Sequence, residues 1–516
     1  MNGASHNVQE GDSRPISARE GAVWSQAIDK AQIGKATLVG RNAAFLLIAR
    51  IVGLLLWFVL FGTARRTLGS DFNAYSLAVV SIGSVYHLFI DFGFRHLTVR
   101  EVARNHSMTL QYAFTGFMIR LAIVLPSFAL LAIAFNFLYT PAVRVALLIG
   151  CAAFVLKSFA VFLTGVFDAH ERMHLTALVN TSQAVLIFVV CLPLLYLFRE
   201  DNIPVLVGDA LASLAVMLMA VILVLYIFGR TGSRPRMSGC WSSFKNAAPF
   251  GMYFLFGEVC GQAGALLLST MIGDEEVWGR YLAPMALVLK IELLPKLLAS
   301  ALYPTISKEY EVSLDNASRM YEQAARLIFF FALPVAVGCT VLAPGIINLV
   351  YGGGEEEAIL LRILAWLIPL RFLGYLLSTT IFAVNKQKTG MYIMGGAAVA
   401  SIVLNAILIP GFGARGAAIA SLGAALIVQG AILWQVCKSL RCSPAPLGSV
   451  PCILSCAGMA AVLMLTRHMH LLIAVAVGAV VYSVCLFVFG GIRSSDIRLV
   501  RELISRRQLA ESGEVK

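Results

Sequence analysis

Five cations stand in stretches that are otherwise apolar: Arg50, Arg120, Lys157, Lys290 and Arg371. A charged side chain at the centre of a bilayer costs about 3 kcal/mol or more, so such residues face a cavity or a partner rather than lipid. Arg offers phosphate oxygens a planar, two-pronged donor, and Lys offers a compact point charge. Lys296 and Arg362 add to the cations, while the buried acids are fewer: Asp91, Asp209, Glu258 and Glu292. An interior with surplus positive charge is suited to replacing the hydration shell of an anion. Glu292 and Lys296, four apart, are spaced to neutralise each other on one helix. Arg50, Arg120, Lys290 and Arg371 have no acid three or four residues away on the same helix, so they are expected to face a cavity. Lys157, beside Phe154 and Phe159, joins them as a candidate with an alternative inward-snorkelling role. Glu258 and Asp91 are candidates for a coupling proton or sodium ion. Asp91, followed by Gly93 and Arg95, also reads as a helix-end interfacial charge. Arg362, near Glu355, Glu356 and Glu357, reads as a snorkelling or loop-paired residue.

These side chains need elements to hold them, and the composition says which. The chain has 516 residues, 59% hydrophobic and only 13% charged, with a mean hydropathy of +0.82. Its net charge of +12 sits in short runs between apolar stretches of about twenty residues, the length that spans a bilayer. That pattern excludes a cytosolic enzyme, a secreted disulfide scaffold and a disordered regulator. It also removes the nucleic-acid reading that the charge alone would invite. The fold class is all-α, a polytopic membrane protein with about fourteen transmembrane helices. The spans are predicted at 42–63, 74–94, 112–135, 145–167, 175–198, 204–228, 248–271, 280–303, 324–350, 358–384, 390–410, 413–436, 447–466 and 470–490. With the N-terminus inside, Lys and Arg concentrate in the inner segments, and both Asp274-Glu275-Glu276 and Glu355-Glu356-Glu357 fall outside. The positive-inside rule therefore places both termini in the cytoplasm. Residues 1–38 lack an apolar core and cleavage site and read as a cytoplasmic tail.

The basic, Ser/Pro-containing break at 229–247 divides the apolar region. On this reading, 1–41 is a tail and 42–228 a six-helix lobe, followed by a linker at 229–247. A second six-helix lobe spans 248–436, two additional helices 437–490, and a final tail 491–516. The two lobes are expected to be pseudo-symmetric. Leu68-Gly69-Ser70-Asp71 leads to Tyr75 after the first span, and Ile272-Gly273-Asp274 leads to Tyr281 after the seventh. Parallel halves with a substrate path between them are a recurrent transporter design.

Several motifs resemble a known family. They are Arg66-Thr67-Leu68-Gly69, Tyr75, Asp91-Phe92-Gly93-Phe94 and Val99-Arg100-Glu101, then Tyr351-Gly352 with Ala358 to Leu364, Asn405 to Pro410, and Phe412 to Ala420. In order and spacing, over about residues 40–440, they are similar to bacterial polysaccharide-export (Wzx-like) flippases of the multidrug/oligosaccharidyl-lipid/polysaccharide exporter superfamily. The resemblance implies export of a lipid-linked, polyprenyl-diphosphate glycan unit across the inner membrane, with membrane lipids as the other partners. It implies no enzymatic activity, cofactor, metal or nucleic acid. In that setting Arg50, Arg120, Lys157, Lys290 and Arg371 would hold the anionic headgroup during alternating access. A cation-coupled multidrug exporter of the same superfamily is the alternative, and Glu258 keeps it open. A glycosyltransferase or polymerase would need a large extramembrane loop with paired carboxylates, and a channel would need a filter loop. Neither pattern is present.

Other polar features have plainer readings. Asn180 and Gln183 share a helix face, placed either to hydrogen-bond a sugar or to tie helices together. His87 is either a proton site or a packed histidine. Gly257, Gly261 and Gly264 permit close helix contact, and the cysteines within apolar segments read as small packing residues.

Overall fold

The computed structural model describes residues 50–229, 240–291, 312–442, 449–466 and 469–491, with isolated positions between 292 and 311. All of them belong to one unit, Phe45–Ile497. The predicted linker (largely), both predicted tails, Glu292 and Lys296 lie outside the described residues.

Helices account for nearly all of what is described. The first, α1, runs over residues 50–67. It is followed by α2 (Phe72–Asp91), α3 (Phe94–Arg104), α4 (Thr109–Leu138), α5 (Pro141–Ala169), α6 (Met173–Leu197) and α7 (Ile203–Phe228). The second half opens with α8 (Cys240–Met271) and α9 (Glu275–Lys290). It continues with α10 (Leu314–Val341), α11 (Ala343–Tyr351), α12 (Glu355–Leu364), α13 (Leu367–Ala383), α14 (Gln387–Leu440), α15 (Ser449–Leu465) and α16 (Leu471–Val488). Ten helices among the described residues are long and apolar enough to cross a membrane. One of them, α14, carries two predicted spans. It breaks at Gly413, whose φ of 55° and ψ of −131° are open only to glycine, just after Pro410 has removed a backbone donor.

Local chemistry sets the boundaries. Pro141 starts α5, where a missing N–H costs nothing. Asp274 caps α9 by accepting from the Glu276 amide at 2.9 Å, and Glu275 and Glu276 face the positive end of the dipole. The turn from α2 to α3 is two consecutive left-handed residues, Phe92 and Gly93. The predicted span 324–350 falls on α10 and the short α11, and 358–384 on α12 and α13, which together make one apolar membrane-length run, Glu355–Ala383.

In the first half, α5 packs along α7 and also against α2, α3 and α4. In the second, α14 packs along α8 and α13, and α10 meets α13 and α15. Helices α2 and α9, which open with the two matching turn motifs, pack against each other. There the Asn73 side chain abuts Gly279, where any Cβ would collide. Helix α1 closes in on both neighbours: Phe61 meets Phe72 and Tyr351 edge-on. A Cβ at Gly62 would stand 2.8 Å from the Val350 carbonyl oxygen.

Candidate functional site

The five predicted cations divide into two groups. Arg50 and Lys290 line one cavity of about 470 Å³, formed by α1, α6 and the end of α9. Arg50, Gly53, Leu54, Trp57 and Leu60 line it from α1 at i, i+3, i+4, i+7 and i+10, the spacing of one helix face, with Leu56 at its edge. Ala184, Ile187 and Phe188 line it from α6. The two helices approach closely at Gly53, where a Cβ would just touch that of Ala184 at 3.4 Å. Lys290 ends α9 and its Nζ lies 4.5 Å from the centre of the Trp57 ring. The cavity is thus an apolar chamber with two cations and two aromatic side chains, Trp57 and Phe188, the composition expected of a site for an amphiphilic anion.

Arg371 lines a second cavity of about 380 Å³, mostly in the second half but with Leu88 of α2 in its wall, together with Glu258, Tyr253, Tyr375, Ser378 and Met394. Gly261 lies beside it, 3.5 Å from Arg371 Nη1 at the position a Cβ would take, an ordinary contact distance. Tyr253 and Ser378 share a hydrogen bond of 2.6 Å. Glu258 accepts hydrogen bonds from Ser84 Oγ at 2.8 Å and from Gln262 Nε2 at 3.1 Å. Gln262 in turn accepts from Ser81 at 3.0 Å and donates to the Val80 carbonyl at 3.2 Å. Val80 and Ser81 belong to a π-helical turn, Leu77–Ile82, whose wider winding leaves carbonyls free for side-chain donors. Glu258 is therefore held by a network joining α8 to α2.

Arg120 and Lys157 do not line either cavity, contrary to the sequence expectation. Arg120 is completely buried, pairs with Asp91 across α4 and α2, and stacks 3.9 Å from the Phe162 ring centre. Lys157 pairs with Asp209 of α7 at 2.7 Å, with both side chains largely buried. The physical reason is simple: their acids sit on neighbouring helices, where same-helix spacing cannot reveal them. Asp91 is accordingly bound to an arginine rather than standing as an open cation ligand. It does stand at the end of α2, as the alternative helix-end reading expects, and it is buried there.

The remaining candidates fall into place similarly. Gln183 donates to Ser213 at 3.0 Å, tying α6 to α7. His87 is half-buried beside Phe154, with Nδ1 lacking a hydrogen-bond partner among the described residues. At the end that the charge pattern places outside, Glu357 pairs with Arg65 at 3.2 Å, and Glu356 with Arg415 at 2.5 Å. Arg362, the expected partner of that cluster, stays exposed. Trp57, Ser84 and Gln262 were not singled out by charge. Trp57 was detectable all the same, seven residues from Arg50 on the same helix face.

A family model described as "Polysaccharide biosynthesis protein" matches residues 39–309, more than half of the chain. The chain belongs to this family. A second model, "Lipid II flippase MurJ", matches residues 281–492. Among solved structures, the chain is similar to a lipid II flippase MurJ in an inward closed conformation, with a TM-score of 0.68 at 16% identity. The likeness covers 87% of this chain and 98% of that one. It is also similar to an inward-facing multidrug resistance MATE family transporter of the MOP superfamily, with a TM-score of 0.60 at 14% identity, covering 76% and 98%. A eukaryotic MATE transporter gives 0.58 at 14%, covering 79% and 98%. At these identities the likeness establishes a shared multi-pass helical fold. No curated protein is similar enough in sequence to match.

Proposed function

We propose that this family member moves a lipid-linked, polyprenyl-diphosphate oligosaccharide across the bacterial inner membrane by alternating access. The observation that carries the reading is the pair of cations in one apolar chamber, Arg50 and Lys290. Arg50 grips phosphate oxygens with its fork, and Lys290 supplies a mobile point charge. The lipid tail stays in the bilayer if the chamber opens sideways between helices. Rocking of a six-helix half at 42–228 against one at 248–436 then exposes the headgroup on the far side, with both termini remaining cytoplasmic. The inside-negative potential favours outward movement of an anion. Glu258 is the group assigned to a coupling proton or sodium ion, since it lines a cavity and joins α8 to α2. The MurJ and polysaccharide biosynthesis matches support the glycan cargo.

Accessibility of a labelled polyprenyl-diphosphate oligosaccharide in reconstituted vesicles tests the reading. The wild-type chain brings the headgroup within reach of a reagent in the opposite compartment, and Arg50→Ala or Lys290→Ala slows this at normal protein levels. One observation favours a second reading, cation-coupled export of organic compounds: Glu258 and Arg371 share their own cavity. Cation-stimulated dye efflux, with no movement of the lipid-linked glycan, would establish that reading instead.

A further inference from the structure

Trp57 is the least explained member of the Arg50–Lys290 chamber. It is half-buried and lines the cavity, and it stacks on Phe61 with ring centres 4.6 Å apart and planes inclined by 17°. That support fixes the plane of the indole. An indole combines a flat apolar face with one N–H donor, so it matches a ligand that is apolar on its faces and polar at its rim. A pyranose ring has that anatomy, with C–H bonds on its faces and hydroxyls around its edge. A polyprenyl chain needs no such donor, and a diphosphate is repelled by the negative face of the ring.

Position along α1 adds a second constraint. Arg50 and Trp57 are seven residues apart, an offset of about 10 Å at 1.5 Å per residue. Lys290 reaches the same ring from α9. A headgroup whose phosphates engage both cations therefore presents its first sugar at the indole. Lys290 rests on Trp57 in the structure described here, and its long, flexible stem can turn to a phosphate.

We propose that Trp57 is the sugar platform of this site: it reads the first carbohydrate residue attached to the diphosphate, with Lys290 as a tethered stand-in. This inference rests on the flippase reading above. It makes Trp57 a specificity-determining residue, whereas Arg50 serves any lipid diphosphate.

The test compares two probes in vesicles: polyprenyl diphosphate carrying an oligosaccharide, and bare polyprenyl diphosphate. The readout is the ratio of their translocation rates. Trp57→Ala lowers the ratio roughly three- to tenfold, the size of an aromatic stacking contribution, and Trp57→Phe restores most of it. Arg50→Ala slows both probes and leaves the ratio unchanged. An unaltered ratio in Trp57→Ala, whether both rates fall together or neither does, overturns the proposal and leaves Trp57 a packing residue. Failure of the wild-type chain to move either probe overturns the flippase reading instead, and the platform with it.

Discussion

Arg50 and Arg120 look alike in the sequence, each an arginine within an apolar span, yet the structure gives them opposite surroundings. Arg50 lines an open chamber with Lys290 and Trp57. Arg120 is sealed between α4, α2 and α5, with its charge met by Asp91 and its face covered by Phe162. An acid on a neighbouring helix separates the two cases. A buried arginine that meets a carboxylate ties helices together, whereas one that meets a cavity remains available to an anion. Lys157 repeats the first case with Asp209.

Four measurements would break or sharpen that contrast. Arg120→Ala leaves Asp91 buried and uncompensated, and should cost about 3–5 kcal/mol of stability; thermal unfolding in detergent reads this. Retained stability with lost transport would erase the distinction between the two arginines. Arg50→Ala should leave unfolding unchanged and slow headgroup translocation roughly ten- to hundredfold, the loss of one charge-assisted contact. A double-mutant cycle on Lys157 and Asp209 should give a coupling of about 1–3 kcal/mol, in the range for neighbours sharing an ion pair. Arg415→Ala removes an ion pair whose side chains are 50% and 42% exposed. It should change stability by less than about 1 kcal/mol and leave transport untouched.

The helical membrane class was legible because bilayer thickness writes itself into apolar run length. The turn before the second half's second helix was legible as Ile272-Gly273-Asp274, but the helix starts at Glu275 under an Asp274 cap, five residues before the predicted span. Arg50 and Lys290 were legible as charges, though not as occupants of one chamber 240 positions apart in the chain. The pairings Arg120–Asp91, Lys157–Asp209 and Arg65–Glu357 were hidden for the same reason: each joins two helices, and periodicity speaks only within one. Spans 390–410 and 413–436 were separated correctly around Pro410 and Gly413, although the helical bonding runs on through the bend. Trp57 was overlooked because the search weighed charge and not the face that charge shared.

The close approach of Gly62 to the Val350 carbonyl bears on how relatives can be recombined. One family model ends at residue 309 and the other begins at 281, which marks a natural place to splice halves from different homologues. Yet Gly62 belongs to the first segment and Val350 to the second. A hybrid that brings any larger residue to position 62 forces the backbones apart at that seam. Exchange of the halves should succeed only between parents that both keep a glycine there, whatever cargo each parent prefers.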